Sequence, residues 1–180
     1  MRVVATTGMP GSGKSLAMDV AREVGIPVIS MGDLVRQEAE AQGLPDEPAS
    51  YGKVAGELRE REGKGAWANR TLEHLGDPEG GALLIDGVRN LDEVDIFREA
   101  FGPDFCLLAI LASPATRYAR MAERGRGEDS EEEAVLRERD RRELGYGLGA
   151  AIAMADIYVE NEADPEEAKS TLRAVLAASA

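Results

Sequence analysis

Gly8-Met9-Pro10-Gly11-Ser12-Gly13-Lys14-Ser15 is the stretch of sequence that decides the fold. Two glycines separated by four residues and followed by Lys and Ser form the pattern of a phosphate-binding loop. The glycines allow backbone N–H groups to turn inward onto phosphate oxygens at the positive N-terminus of a helix. Lys14 is then expected to reach the β- and γ-phosphates of a triphosphate, and the Ser15 hydroxyl to bind Mg²⁺.

Short apolar runs alternate with longer amphipathic stretches on either side of this loop, which favours a parallel sheet with crossover helices. The apolar runs predict strands at residues 3–6, 26–30, 82–85, 105–111 and 157–159. Directly after the loop, Leu16, Val20 and Val24 recur at intervals of four residues. The loop therefore lies between a strand and a helix, as a phosphate-binding loop requires.

Polar residues in front of the helical stretches predict where those helices begin. Asp33 is expected to cap a short helix that ends near Gly43. If the acceptor is a hydroxyl, Asp33 has a second interpretation as a general base. Asn90 and Glu93 have the spacing of a capping box.

Two segments depart from the alternating pattern. Residues 44–77 contain several Gly and Pro residues among polar helices and no strand-like run, so they predict a helical insertion within one domain spanning 1–180. Residues 124–130 form a loop rich in glycine, arginine and acidic residues. In the insertion, Trp67 is expected to cover a small core, with stacking on an acceptor base as the alternative. His74 is expected to be a surface or packing residue and not a catalytic one.

Asp86 ends the apolar run Leu83-Leu84-Ile85. A carboxylate at the end of a strand beside a phosphate-binding loop is suited to hold Mg²⁺, directly or through water. The sequence therefore predicts a Mg²⁺ site formed by Ser15 and Asp86, with ATP as the phosphoryl donor.

The composition excludes several classes of protein. Asp and Glu total 34 against 21 Lys and Arg, for a net charge of −13, and such a surface repels nucleic acids and anionic membranes. The dispersed acidic pattern is typical of a high-salt cytoplasm, with an ordinary acidic enzyme as the alternative. A single cysteine, Cys106, excludes an internal disulfide, and no apolar run reaches the ~18 residues of a membrane span. These features predict a cytoplasmic protein, a monomer or a homodimer, with no nucleic acid or membrane partner.

Three further stretches resemble nucleotide kinases. Ile29-Ser30-Met31-Gly32-Asp33-Leu34-Val35-Arg36 is similar to the adenylate kinase segment that contacts the acceptor monophosphate, with Met31 in place of its Thr. Asp86-Gly87-Val88-Arg89 resembles the adenylate kinase segment whose Arg binds the acceptor phosphate. The proline of that segment is absent here. Ala155-Asp156-Ile157-Tyr158-Val159-Glu160-Asn161 resembles dephospho-CoA kinases.

Taken whole, the chain most resembles the archaeal UPF0200 family of P-loop nucleotide-kinase-like proteins. Asp86-Gly87-Val88-Arg89-Asn90 and Arg139-Asp140-Arg141-Arg142-Glu143-Leu144-Gly145-Tyr146-Gly147 carry that resemblance. It implies an α/β P-loop NTPase three-layer sandwich with a five-stranded parallel sheet in the order 2-3-1-4-5. It also implies an acceptor-binding insertion at about 44–77 and a lid at about 124–130. The family supplies no substrate.

Arginines are the candidates for phosphate binding, because a guanidinium binds phosphate through two parallel hydrogen bonds. Arg36 and Arg89 each follow a strand at the edge where open α/β sheets bind ligands, and are expected to bind the acceptor phosphate. Arg124 or Arg126, together with Arg139, are expected to close over the transferring phosphoryl group. A surface ion pair is the alternative for each of them.

Three function classes fit these residues. The leading hypothesis is an ATP-dependent small-molecule kinase of the nucleoside monophosphate kinase type that acts on a nucleotide-like acceptor. The alternatives are a dephospho-CoA-type hydroxyl kinase and a regulatory ATPase or nucleotide switch. A GTPase is disfavoured, because no guanine-reading Asn/Thr-Lys-x-Asp run surrounds any lysine.

Overall fold

The sheet is the centre of the fold in the computed structural model, which describes residues 1–76, 81–124 and 132–178. Within those residues, all strand pairs are parallel, and the strands are β1 (Arg2–Thr7), β2 (Val28–Ser30), β3 (Ala82–Asp86), β4 (Phe105–Leu111) and β5 (Ile157–Glu160). Their spatial order is β2-β3-β1-β4-β5. The expected five-stranded sheet and its order are confirmed.

Helices cover both faces of this sheet and complete the three-layer sandwich. They are α1 (Lys14–Glu23), α2 (Met31–Ala41), α3 (Pro48–Glu62), α4 (Ala66–Leu75), α5 (Leu91–Phe101), α6 (Pro114–Arg124), α7 (Glu133–Gly145), α8 (Leu148–Ala153) and α9 (Pro165–Ala177). Because successive strand residues point to opposite faces, Val3 and Ala5 enter one core and Val4 enters the other. The first core contains α3, α4 and α5, and the second contains α1 and α9.

The predicted insertion forms α3 and α4, which share a hydrophobic cluster with the sheet. Trp67 is 2% exposed, and its indole Nε1 donates to the carbonyl oxygen of Ala55 at 3.3 Å. Trp67 packs in the core of the insertion, as expected, and that core is continuous with the sheet, because Val54, Leu58 and Trp67 join the same cluster as Ile85. His74 is exposed.

The start of α2 differs from the sequence interpretation. The side chain of Ser30 caps this helix by accepting from the backbone N–H of Asp33 at 3.2 Å. The prediction that Asp33 is the cap is therefore wrong, because the helix already begins at Met31, and Asp33 lies in its first turn. At α5, Asn90 caps as expected by accepting from the N–H of Glu93 at 2.9 Å.

Candidate functional site

The loop between β1 and α1 has the backbone that its glycines allow. Gly11 and Gly13 have φ values of 78° and 103°, in a region that residues with a side chain rarely adopt. A Cβ at Gly11 would lie 2.7 Å from the carbonyl oxygen of Arg117, and a Cβ at Gly13 would lie 2.1 Å from Nδ2 of Asn161. Both glycines are thus required by backbone conformation and by close neighbours.

Lys14 folds back over this loop. Its Nζ donates to the carbonyl oxygens of Gly8 at 2.5 Å and of Met9 at 3.4 Å. Burial lowers the pKa of the Lys14 ammonium, while the carboxylates of Asp86 and Glu143 oppose that shift. An incoming polyphosphate would add negative charge beside this ammonium and would favour its charged form.

Asp86 comes next to the loop through the register of the sheet. Thr6 in β1 is the register partner of Asp86 in β3, and the Thr6 hydroxyl donates to Oδ1 of Asp86 at 2.5 Å. Within the described residues, Oδ2 of Asp86 accepts no hydrogen bond, and Ser15 at the start of α1 is exposed. A carboxylate oxygen and a hydroxyl are hard ligands of the kind that Mg²⁺ prefers, so both side chains fit this ion.

A cavity of about 170 Å³ opens beside Lys14 and Asp86. Helices α2, α3, α4, α7 and α8 and the segment after β3 close it on the other sides. Its lining among the described residues consists of Gly8, Pro10, Lys14, Met31, Gly32, Val35, Ala55, Arg59, Trp67, Asp86, Gly87, Val88, Arg89, Arg139, Glu143 and Leu148.

Arg89 lines this cavity. Its Nη1 lies 3.7 Å from Oε2 of the buried Glu143, and its backbone N–H donates to Oε2 of Glu93 at 2.7 Å. In an ideal capping box, that Glu93 oxygen would accept from the N–H of Asn90. Here it accepts from the N–H of Arg89, one residue before Asn90, and fixes the turn that carries Arg89.

Arg36 lies outside the described cavity lining. Its guanidinium pairs with the carboxylate of Asp33, one turn earlier on α2, and lies 6.0 Å from the ring centroid of Tyr51. Both members of the ion pair are about half exposed. The neighbouring residues Gly32 and Val35 reach the cavity instead.

The three arginines expected to close over the phosphoryl group have different positions. Arg139 on α7 lines the cavity, and its Nη1 lies 4.0 Å from Sδ of Met121. Arg124 ends α6, but its side chain lies outside the described part of the structure, as do Arg126 and the remainder of the expected lid. Arg137 and Arg141, on the same helix as Arg139, form surface pairs with Glu133 and Glu138.

Sequence reasoning missed a buried contact between the phosphate-binding loop and α6. Arg117 donates to both carboxylate oxygens of Asp140, at 2.9 and 2.5 Å, and also to the carbonyl oxygen of Pro10 at 2.9 Å. Tyr118 donates to the same carboxylate at 2.9 Å. Asp140 lies in the run Arg139-Asp140-Arg141-Arg142 on α7. An acidic residue among arginines was the sequence signal that could have pointed to this ion pair.

Asn161, directly after β5, is a second contact that was missed. Its Nδ2 donates to the carbonyl oxygen of Ser12 at 2.8 Å, and its backbone N–H donates to the carbonyl oxygen of Leu111. Arg120 on α6 donates to the carbonyl oxygen of Asn161 at 2.7 Å. The loop is therefore held from the far edge of the sheet as well as from α6.

A third missed residue is Arg59 on α3, which reaches the cavity from the insertion. Its side chain is 11% exposed and pairs with the fully buried Glu93 at 3.0 Å. Nothing in the sequence around Arg59 distinguishes it from Arg61 two residues later, which is exposed and pairs with Glu62.

The described residues contain no helix that combines the length and apolarity needed to cross a bilayer. The same residues contain no group of three or more His, Cys, Asp or Glu side chains placed to hold a metal.

Relatives with similar sequences cover nearly the whole chain. Residues 7–137 match the family described as an AAA domain. The UPF0200 proteins of Methanoculleus marisnigri and Halobacterium salinarum are 45% and 43% identical, over 98% and 99% of this chain and 96% and 94% of theirs. The UPF0200/UPF0201 protein of Archaeoglobus fulgidus is 44% identical over 98% of this chain, which spans 55% of that longer protein.

Solved structures with little sequence identity have the same fold. A gluconokinase from Sinorhizobium meliloti 1021 aligns with a TM-score of 0.62 at 18% identity, covering 98% of this chain and 92% of its own. The protein TT1252 from Thermus thermophilus aligns with a TM-score of 0.64 at 19% identity, covering 98% and 97%. At such identities the likeness shows the shared fold and confirms the expected P-loop α/β sandwich.

Proposed function

The chain belongs to the UPF0200 family and contains an AAA domain, and from this premise we propose that it is an ATP-dependent small-molecule kinase of the nucleoside monophosphate kinase type. In this proposal, the enzyme transfers the γ-phosphoryl group of ATP to a phosphate-bearing, nucleotide-like acceptor. The loop at residues 8–15 binds the triphosphate, and the adjoining cavity receives the acceptor.

One observation carries the proposal: the cavity beside the phosphate-binding loop contains Lys14 and Asp86 together with Arg89 and Arg139. A nucleotide switch needs a phosphate-binding loop, but it has no need of a second pocket lined by guanidinium groups. Two phosphate-bearing substrates placed on either side of Lys14 would meet at this cavity. Holding both reactants in this way supplies the positioning on which phosphoryl transfer depends.

The residues of the chain take separate roles in this proposal. Lys14 binds the β- and γ-phosphates, and Arg139 stabilises charge on the transferring group. Arg89 orients the acceptor phosphate, which is already ionised and needs no general base. Ser15 and Asp86 would hold Mg²⁺, which bridges phosphate oxygens and neutralises their charge when bound. Arg36, Arg124 and Arg126 stay sequence-based candidates for further phosphate contacts.

A hydroxyl acceptor is the second candidate function. The carboxylate of Glu143 lines the cavity and is buried, so it could accept a proton from a hydroxyl as the bond to phosphorus forms. The gluconokinase with the same fold is named for a substrate that carries hydroxyl groups. Under this alternative, the acceptor would bring its hydroxyl to Glu143, with Arg89 binding its anionic group.

An acceptor screen tests the proposal. Purified protein, ATP and Mg²⁺ are incubated with nucleoside monophosphates, dephospho-CoA and gluconate in separate reactions, and ADP formation is followed. We expect ADP formation that depends on an acceptor from the monophosphate group. Stimulation by gluconate or dephospho-CoA alone would favour the hydroxyl kinase, and equal ADP formation with and without every acceptor would favour a regulatory ATPase.

A further inference from the structure

Arg59 reaches the cavity from the insertion with part of its hydrogen-bonding capacity unused. Its Nη2 donates to Oε1 of Glu93 at 3.0 Å, and its Nη1 makes only a 3.5 Å contact with the carbonyl oxygen of Ala55. Its Nε is buried and has no hydrogen-bond partner among the described residues. A buried donor without a partner is costly, which favours a ligand that completes its hydrogen bonds.

Glu93 connects Arg59 with Arg89. One carboxylate oxygen of this fully buried residue accepts from the Arg59 guanidinium, and the other accepts from the backbone N–H of Arg89 at 2.7 Å. The ring centroid of Tyr146 lies 5.4 Å from the Arg59 guanidinium carbon. The two arginines therefore come from different elements, α3 and the turn after β3, yet both are hydrogen-bonded to the carboxylate of Glu93.

The charge of the cavity favours an anion. Among its described lining residues, Lys14, Arg59, Arg89 and Arg139 are cationic, and Asp86 and Glu143 are anionic. This excess of positive charge lies inside a protein whose net charge is −13. None of the other lining side chains is an amide or a hydroxyl, and the indole N–H of Trp67 already donates to Ala55, so the remaining surface is mostly apolar or backbone.

We propose that Arg59 and Arg89 together form the acceptor's anion site, and that the acceptor is a phosphate monoester whose organic part rests on the apolar wall that includes Val35, Ala55 and Leu148. The inference rests on the proposed kinase function and names the residue and the ligand class of its second site. It replaces Arg36 by Arg59 as the partner of Arg89, because Arg59 lines the cavity and Arg36 pairs with Asp33 outside that lining.

The guanidinium is the group that this role requires. A guanidinium presents parallel N–H donors in a plane, which match two oxygens of a phosphate monoester, whereas an ammonium binds as a point charge. The pairing with Glu93 fixes the Arg59 plane through Nη2 and leaves the part of the guanidinium that lines the cavity for the ligand. A monoester dianion between two such planes would be held in a single orientation towards Lys14.

The test titrates inorganic phosphate into protein already saturated with Mg²⁺ and a non-hydrolysable ATP analogue, so that the phosphate-binding loop is filled. Isothermal titration calorimetry gives the phosphate affinity, and the fluorescence of Trp67 gives an independent signal, because it is the only tryptophan and lines the cavity. The variants are Arg59→Gln, Arg59→Lys and, as a matched control on the same helix, Arg61→Gln. Arg36→Gln tests the competing residue.

We expect Arg59→Gln to weaken phosphate binding by roughly tenfold to a hundredfold, the range for losing hydrogen bonds to a charged group. The phosphate affinity of Arg59→Lys should lie between those of Arg59→Gln and wild type. The affinity of Arg61→Gln should equal that of wild type. Wild-type affinity in a folded Arg59→Gln variant would overturn the proposal. If Arg59→Gln does not fold, wild-type affinity in Arg59→Lys would overturn it instead.

Two further results would also overturn the proposal, and they separate it from the kinase function. Absence of phosphate binding to wild type that holds the ATP analogue would remove the anion site while leaving triphosphate binding intact. A loss of phosphate binding in Arg36→Gln with none in Arg59→Lys would return the site to Arg36. Failure of wild type to bind the ATP analogue would instead contradict the proposed function itself.

Discussion

Arg117 and Asp140 form a buried ion pair whose two nitrogen–oxygen distances are 2.9 and 2.5 Å. Arg117 lies on α6 and Asp140 on α7, and the Arg117 guanidinium also donates to the carbonyl oxygen of Pro10 in the phosphate-binding loop. The pair therefore joins the two helices that flank residues 125–131 and ties both to the loop. We expect this pair to maintain the loop in the conformation that the structure shows.

Asp140→Asn should destabilise the fold and weaken triphosphate binding. The substitution keeps the shape of the side chain but leaves the charge of Arg117 buried without a counter-charge. Breaking a buried pair in this way costs about 3–5 kcal/mol in the free energy of unfolding. Urea denaturation measures that free energy, and calorimetric titration with ATP measures the affinity.

The matched control for this change is Glu138→Gln on the same helix. Glu138 and its partner Arg141 are 70% and 74% exposed, and exposed pairs contribute little to stability. We expect the control to unfold at the urea concentration of wild type. An Asp140→Asn protein with the stability of this control would show that the pair does not hold the loop.

Triphosphate affinity should fall at alkaline pH because of Lys14. Burial places the pKa of this ammonium below its ordinary value of 10.5, so the free protein loses the proton earlier than an exposed lysine would. The bound phosphates favour the charged form, and affinity therefore decreases as the pH rises through the lowered pKa. Calorimetric titration with ATP at a series of pH values up to the ordinary lysine pKa measures the decrease.

The same shift has a consequence for stability in the absence of nucleotide. Between the lowered pKa and 10.5, the unfolded chain binds more protons at Lys14 than the folded chain does. The contribution of Lys14 to the free energy of unfolding therefore rises with pH across that window. Lys14→Met removes the titrating group, so neither its ATP affinity nor its free energy of unfolding should show this pH dependence. If the variant and the wild type had the same pH profiles, the effects would not come from Lys14.

Arg89→Lys should impair acceptor use far more than ATP binding. The lysine keeps the positive charge but loses the planar pair of donors, so the acceptor phosphate is held without a fixed orientation. We expect kcat/KM for the acceptor to fall by roughly tenfold to a hundredfold, a loss of about 1.4–2.7 kcal/mol in transition-state stabilisation. Steady-state kinetics with varied acceptor measure the fall, and calorimetry measures ATP affinity.

Arg98→Lys serves as the control for this substitution. Arg98 lies near the end of α5, is 44% exposed and pairs with Asp156 on the surface. Replacing Arg98 by Lys should leave kcat/KM for the acceptor and the affinity for ATP at wild-type values. Equal effects of Arg89→Lys on acceptor use and on ATP binding would mean that Arg89 belongs to the triphosphate site.

Local sequence signals were enough to predict the strands and the position of the residue 8–15 loop between β1 and α1. Each strand is a short apolar run, and the observed β4 has the predicted bounds. Asp86 comes beside Thr6 because parallel strands in register bring their carboxyl ends to one edge. The strand order itself came from the resemblance to the UPF0200 family, since apolar runs alone do not specify which strands are neighbours.

The acceptor side of the site depends on how helices pack, which the local sequence does not specify. Arg36, Arg59 and Arg61 are all helix arginines, and only the tertiary packing of the helices brings Arg59 on α3 to Glu93 on α5. Ser30 and Asp33 are both good capping residues, and the choice between them depended on where β2 ends. Arg117 and Asp140 are 23 residues apart, and their contact exists only once α6 and α7 have packed together.

The destination of the γ-phosphoryl group is the most direct test of the proposed kinase activity. Protein, Mg²⁺ and γ-³²P-labelled ATP are incubated with the acceptor that gives the strongest stimulation, and the label is separated into phosphorylated acceptor and inorganic phosphate. The account predicts label in the acceptor, at a rate that falls by roughly a hundredfold or more in a folded Lys14→Ala variant. Label found only in inorganic phosphate for every acceptor, or an undiminished rate in Lys14→Ala, would contradict it.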